Sequence, residues 1–257
     1  MSSIWGNLNM SPINHPGMEE HMARVRQLIV VAFLGLELVS GCADESSREA
    51  LIEAAAIAID NTDYATAVTI LEGLCPDVTR CSDNVLALLA QARMGLAGVD
   101  LVNLITVLES VPVGGSNLGF TTLDAMFGPP PDGGVTDDDV TRLEGAILAL
   151  KNVNAPTAAD YLDMALSAGA HLVASVMRAA DSNNDGIWDA LGITELNALA
   201  GVVEADLVLL ETSMAAVEAS LGGGTTLTDS IGRLRADING GTGVVTGVDL
   251  GAYIVTL

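Results

Sequence analysis

The chain has 257 residues, enough for one large domain or two small ones. Half are hydrophobic but only 3% are aromatic, so a core must be built from Ala, Leu, Val and Ile, which favours packed helices. Ten basic residues against 33 acidic ones give a net charge of −23. That is too few cations to neutralise a phosphate backbone, so nucleic acid is not an expected partner; an acidic surface suits divalent cations or basic partners.

Residues 1–21 are polar and unpatterned, and Met22-Ala-Arg-Val-Arg26 then supplies a short basic stretch. Leu28 to Gly41 is apolar apart from Glu37, ends in Leu38-Val39-Ser40-Gly41-Cys42, and gives way to the polar Ala43-Asp44-Glu45-Ser46-Ser47. Basic, apolar, small and then polar is the order of a secretory signal peptide. The apolar run is shorter than the roughly 20 residues a membrane-spanning helix needs; a buried core helix is the competing reading. Val39-Ser40-Gly41-Cys42 resembles the bacterial lipobox. The resemblance implies a diacylglycerol on the Cys42 thiol and cleavage just before it. Val39 stands where that family favours Leu, and Glu37 inside the apolar run is a second departure. Because the leader pattern begins at Met22, translation is expected to start there, with Glu19-Glu20 reflecting a purine-rich stretch upstream. Cleavage would remove Arg24 and Arg26 together with Glu19, Glu20 and Glu37, taking the net charge only from −23 to −22.

The other two of the three cysteines are Cys75 and Cys81. In an oxidising compartment so close a pair is expected to form a disulfide across a short loop; two separate thiols are the alternative. A metal site there is disfavoured, because no further cysteine exists and the only histidine beyond Cys42 is His171. A redox-active pair more usually has two residues between its cysteines.

Beyond a short tether over 42–47, Leu51, Ala54, Ala55 and Ala58 lie at helical spacing, and Asn61-Thr62-Asp63 breaks the pattern. A second helix carries Ala67, Leu71 and Leu74; a third is expected from about Asp83 to Met94 and a fourth from about Asp100 to Leu108. Residues 48–111 resemble tetratricopeptide-type helical hairpins: Asp63-Tyr64 and Ala97-Gly98 fall in the turns, and Ala67 and Val102 are 35 residues apart. Arg93 departs from that pattern, standing where an aromatic is common. An unrelated helical bundle is the alternative. Residues 112–135, with Gly114-Gly115, Pro129-Pro130-Pro131 and Gly133-Gly134, read as a linker or long loop. In 136–257, Thr136-Asp137-Asp138-Asp139 opens a helix reaching about Lys151, with carboxylates at its positive end. Further helices are expected over Thr157–Ala180, Glu195–Leu221 and, short, Thr228–Ala236. The expected fold is all-α: tetratricopeptide-like hairpins followed by a helical region with an EF-hand-like loop.

That loop is Asp181-Ser-Asn183-Asn-Asp185-Gly186-Ile187-Trp188-Asp189. Oxygen side chains at alternate positions can converge on one hard cation, and Gly186 permits the turn. The segment resembles the calcium loop of EF-hand and dockerin-type proteins. The resemblance implies Asp181, Asn183, Asp185 and Asp189 as side-chain ligands and Ile187 as a carbonyl ligand within 181–192. The final bidentate acid is missing, since Gly192 occupies its place; Glu195 is its nearest substitute. An Asx-rich turn satisfied by its own backbone is the alternative. A fainter dockerin-like copy offers Asp237, Asn239 and Asp249, with one extra residue and no central acid.

Signals for catalysis are lacking. His171 sits in the apolar helical context Ala-Gly-Ala-His-Leu-Val and reads as a packed histidine. Gly222-Gly223-Gly224 lacks the lysine of a phosphate loop, and Asp137, Asp138 and Asp139 read as solvated helix-start acids. The expected protein is therefore a non-enzymatic, lipid-anchored scaffold for another protein of the bacterial envelope, stabilised by calcium. The residue after Cys42 is Ala43, not the aspartate that retains some lipoproteins at the inner membrane, so the outer membrane is slightly favoured. The alternatives are a calcium-dependent surface or adhesion protein and an envelope hydrolase with an unrecognised site.

Overall fold

Small apolar residues at helical spacing, punctuated by threonine and aspartate, produce helices throughout the described part of the chain. The computed structural model describes residues 47–99, 134–182, 189–222, 226–239, 241 and 243–254. Among these are eight α-helices: α1 Arg48–Asp60, α2 Tyr64–Leu74, α3 Asp83–Leu96, α4 Asp137–Lys151, α5 Ala158–Ala180, α6 Ile193–Ser220, α7 Thr226–Ile238 and α8 Gly247–Ile254. All belong to one unit, Arg48–Leu257. The all-α expectation holds. The leader, Cys42, the fourth helix expected near 100–108, and the 112–135 linker apart from Gly134 and Val135 lie outside the described residues.

Local chemistry sets the helix starts. Thr136 and Asp139 form a reciprocal capping box on α4, and Thr157 and Asp160 repeat it on α5. In each, the threonine hydroxyl accepts the aspartate N–H, while the aspartate carboxylate accepts the threonine N–H, at 3.0 Å for Thr136 and 2.7 Å for Thr157. Between α1 and α2 the chain turns through Thr62 at φ 61°, and Asp63 caps α2 by accepting the Thr66 N–H at 3.3 Å. The buried stripe of α1 keeps two of its four expected residues. Ala55 and Ala58 are buried and Ile52 and Ile59 pack against the core, whereas Ala54 is exposed and Leu51 half-buried. The flanking isoleucines offer more apolar area than Ala54, so the helix turns them inward.

From α1 to α6 each helix packs on the next, and α1 also touches α3, as α3 touches α5. Side-chain contacts give the directions. The first turn of α3 meets the chain just after α4, where Asp83 Oδ1 accepts the Asn154 N–H at 3.1 Å. Near the other end of α3, Arg93 Nη1 donates to the Gly145 carbonyl at 2.9 Å, so α3 and α4 are antiparallel. Gln91 Nε2 donates to Asp163 at 3.0 Å and Met94 Sδ lies 2.9 Å from Ser167 Oγ, so α3 and α5 run parallel. Arg93 also pairs with Glu72 of α2 at 2.8 Å. The residue that departs from the aromatic pattern thus clamps three helices through a mostly buried guanidinium.

The core is divided. Leu71, Leu86, Leu89, Leu143 and Leu150 anchor one cluster across α1–α5. A second joins Val176 of α5 to Leu199, Val203 and Leu207 of α6, Ile238 of α7 and Leu250 of α8. Helix α6 carries Glu204, Glu211 and Glu218 at seven-residue spacing along the side that meets α7. Glu218 accepts from the Thr228 hydroxyl at 2.7 Å, Glu211 pairs with Arg235 at 2.9 Å, and Glu204 also pairs with Arg235. Two turns of α6 therefore place each acid over the antiparallel α7.

Burial raises the pKa of Asp163, and the Gln91 hydrogen bond only partly opposes it. A carboxyl raised in the folded state favours folding when protonated; that contribution is lost as pH rises through the folded pKa. Asp163→Asn keeps an oxygen for Gln91 and carries no charge. It is expected to raise the urea midpoint at pH 7, with a gain that shrinks toward zero as pH falls below the ordinary carboxylate range. An equal gain at pH 7 and pH 3 would contradict the burial argument.

Candidate functional site

The ends of the loop at 181–192 are held to its flanking helices. Asp181 ends α5 as its C-cap, with its N–H on the Met177 carbonyl at 2.9 Å. Asp189 returns to the same helix end, donating its N–H to the Ala180 carbonyl at 2.6 Å, and its carboxylate accepts the Ser182 hydroxyl at 3.0 Å. The chain is thereby closed across 181–189. Asn183, Asp185 and Ile187 lie outside the described residues. Glu195 is engaged locally, since its carboxylate accepts the Gly192 N–H at 2.6 Å at the start of α6.

In the fainter loop, Asn239 is buried and its Oδ1 accepts the Gly241 N–H at 2.8 Å, an Asx turn. The Asp249 carboxylate accepts the Thr246 hydroxyl, which in turn accepts the Asp249 N–H at 3.3 Å, at the start of α8. Asp237 is exposed near the end of α7. Among the described residues no three His, Cys, Asp or Glu side chains converge where a metal ion could sit.

Cys75 and Cys81 form a disulfide with Cα atoms 5.5 Å apart. It links the end of α2 to the segment before α3, around a short 3₁₀ turn at Val78–Arg80 that Asp77 caps.

The most unusual polar arrangement is at His171, on the buried side of α5. His171 Nδ1 lies 2.7 Å from Asp206 Oδ2 of α6, and each residue is only 5% exposed. Burial raises the Asp206 pKa, opposed first by the hydrogen bond from His171 and then by the charges of His171 and Lys151. The 2.7 Å contact is one hydrogen bond shared between the imidazole and the carboxyl group. The other ring nitrogen, Nε2, is buried with no hydrogen-bond partner among the described residues. Glu144 Oε1 of α4 lies 3.7 Å from it.

Glu144 also lines a cleft of about 430 Å³ between α4 and α5. At the far end of that cleft, Arg178 of α5 holds Asp137 of α4 through two hydrogen bonds of 2.6 and 3.1 Å. Its remaining amino group reaches the carbonyls of Asp181, at 3.5 Å, and Ser182. Arg178 raises no barrier to Asp137 ionising; its guanidinium lowers the Asp137 pKa. The first turn of α4 is thus tied to the start of the 181–192 loop.

Sequence reading identified His171 as a packed residue but missed Asp206 and Glu144. A partial signal was present: Asp206 lies at helical spacing from the apolar Leu199 and Val203, as His171 is a lone polar residue in its own apolar run. Two such outliers on neighbouring helices satisfy each other. No protein-family model matches the chain, and neither a curated protein sequence nor a solved structure is significantly similar to it. No helix among the described residues is long and apolar enough to cross a membrane.

Proposed function

We propose that this is a lipid-anchored, non-enzymatic scaffold of the bacterial envelope, whose stacked helical hairpins bind another protein and whose 181–192 loop is stabilised by calcium. The observation that carries the scaffold reading is the helix order: α1 to α6 pack in succession, with α1, α3 and α5 touching in series. Tetratricopeptide-like hairpins stack in this way, each unit burying its face on the next and leaving an extended surface for a partner. The anchor reading rests on the lipobox-like Val39-Ser40-Gly41-Cys42. The Cys75–Cys81 bond supports it, because it leaves Cys42 as the remaining thiol and suits an oxidising compartment. The calcium reading rests on the oxygen-rich sequence and on closure of the chain from Asp189 back to Ala180.

Three arms test it. Cys42→Ala is expected to abolish lipid labelling and normal processing; unchanged labelling removes the anchor. Ile57 of α1 and Leu162 of α5 are large apolar residues that remain exposed, at 52% and 41%. The double variant Ile57→Asp and Leu162→Asp is expected to release the protein that co-purifies with the acylated form while the melting temperature is kept, and retention by the variant counts against a hairpin interface. Calorimetry with calcium is expected to show heat that is lost in Asp181→Ala; silence at millimolar calcium ends the loop proposal. Partner loss on chelation would favour the calcium-dependent adhesion reading instead.

A further inference from the structure

Three titratable groups from three helices meet at His171. Asp206 of α6 shares a hydrogen bond of 2.7 Å with Nδ1, and Glu144 Oε1 of α4 faces Nε2 at 3.7 Å. The second gap is too long for a hydrogen bond, and the buried Nε2 has no partner among the described residues. We infer that the His171–Asp206 pair is a proton-operated latch: uptake of one proton puts a hydrogen on Nε2 and draws the Glu144 carboxylate onto it, tying α4 to α5 and α6 as pH falls.

The 2.7 Å contact needs a hydrogen between the two groups. If the pair holds only that one, Nε2 presents a lone pair to the Glu144 carboxylate, and the two repel. If the pair holds a second, taken from solvent, it sits on Nε2 whichever partner owns the first. An imidazolium beside a carboxylate and a neutral imidazole beside a carboxylic acid both carry an N–H there. That N–H has Glu144 to donate to once the gap closes by about 0.5–1 Å. The Glu144 side chain is 64% exposed, so it can move that far.

The surroundings favour uptake. Asp206 from α6 and Glu144 from α4 are both acidic, and burial, which disfavours a lone carboxylate, raises the Asp206 pKa. Lys151 of α4 acts on Asp206 in the opposite sense. Helix α3 meets α5 through the uncharged Gln91 and Met94. Arg178, seven residues along α5, is held by Asp137. An unfolded histidine takes up its proton near pH 6.5, roughly. A proton held more firmly in the fold therefore stabilises below that pH, and the contribution is lost as pH rises through the folded pair's own range.

The test is urea unfolding of the full chain at pH 6 and pH 8, for wild type and Glu144→Ala. Wild type is expected to have the higher midpoint at pH 6, and about half or more of that gain is expected to vanish in the variant. Asp163, whose pKa is also raised, is present in both chains and cancels from the comparison. Glu144 is mostly exposed and alanine suits a helix, so the variant keeps the fold. An equal gain in the two chains overturns the latch. Nitrogen NMR of the imidazole ring, with His15 and His21 replaced by Gln so that the signal is that of His171, needs no change at the latch. A hydrogen on Nε2 is expected at pH 6 and not at pH 8; the same state at both overturns the proposal.

Discussion

Asp206→Ala is expected to lower the unfolding free energy by about 3 kcal/mol or more, the scale for removing one partner of a buried, hydrogen-bonded pair. Asp206 lies at the junction of α4, α5 and α6, and its carboxyl group shares a hydrogen bond with His171 at 2.7 Å with both residues 5% exposed. Without it, Nδ1 of the buried His171 loses its partner, and the truncated side chain leaves a void. Replacing both partners by apolar residues of similar size, Asp206→Leu with His171→Phe, is expected to recover most of the loss, because no polar group is then stranded. Denaturant unfolding of the two single variants and the double measures the coupling between the sites. A cost below about 1 kcal/mol for Asp206→Ala, or strict additivity, would mean that the pair does not hold the helices together.

The second large effect is expected at the crossing of α6 and α8. A Cβ added at Gly247 would lie 2.3 Å from Asn197 Oδ1, 2.7 Å from the Asn197 backbone nitrogen and 2.9 Å from the Leu196 carbonyl carbon. A side chain can rotate away, but the α6 backbone cannot. Gly247→Ala must therefore lift α8 and uncover Val245 and Leu250, which are 5% and 1% exposed. The expected cost is about 3 kcal/mol, at the upper end for overpacking, with amide-exchange protection lost in α7 and α8 and kept in α1–α4. Gly251 on the same helix is the control. A Cβ there meets only the Leu196 side chain, nearest at 2.9 Å. The better helix propensity of alanine, about 1 kcal/mol, offsets much of that contact, so Gly251→Ala is expected to change stability little. Equal effects at the two glycines would refute the close-approach argument.

These two positions show what kind of information the sequence carries. Helix starts were legible because they rest on local hydrogen bonds. Thr136 with Asp139 and Thr157 with Asp160 lie three residues apart, and nothing distant is needed to form their boxes. The Cys75–Cys81 bond was legible because its ends are close in the chain. On α1, Ala55 and Ala58 are buried as their spacing suggests, but the choice between Ala54 and Ile52 is made by the surface of α2 and α3, not within the helix. Arg93 looked like a misfit when judged against a repeat pattern. Its role appears only with Glu72 and the Gly145 carbonyl on either side of it. Glu195 and Asp249, read as metal ligands, each also sit three residues into a helix start, and in the structure their carboxylates accept hydrogen bonds there.

By itself the sequence determined an acidic, aromatic-poor, helical protein with most of its described helices though not α8, the close spacing of its paired cysteines and a lipobox-like segment ending at Cys42. These depend on composition and on spacings of a few residues. Only the tertiary structure decided that Asp206 and Glu144 flank His171, because those residues are 35 and 27 positions away from it. Their meeting depends on how three helices pack, and side-chain burial, which sets the value of such a cluster, does not exist until they do.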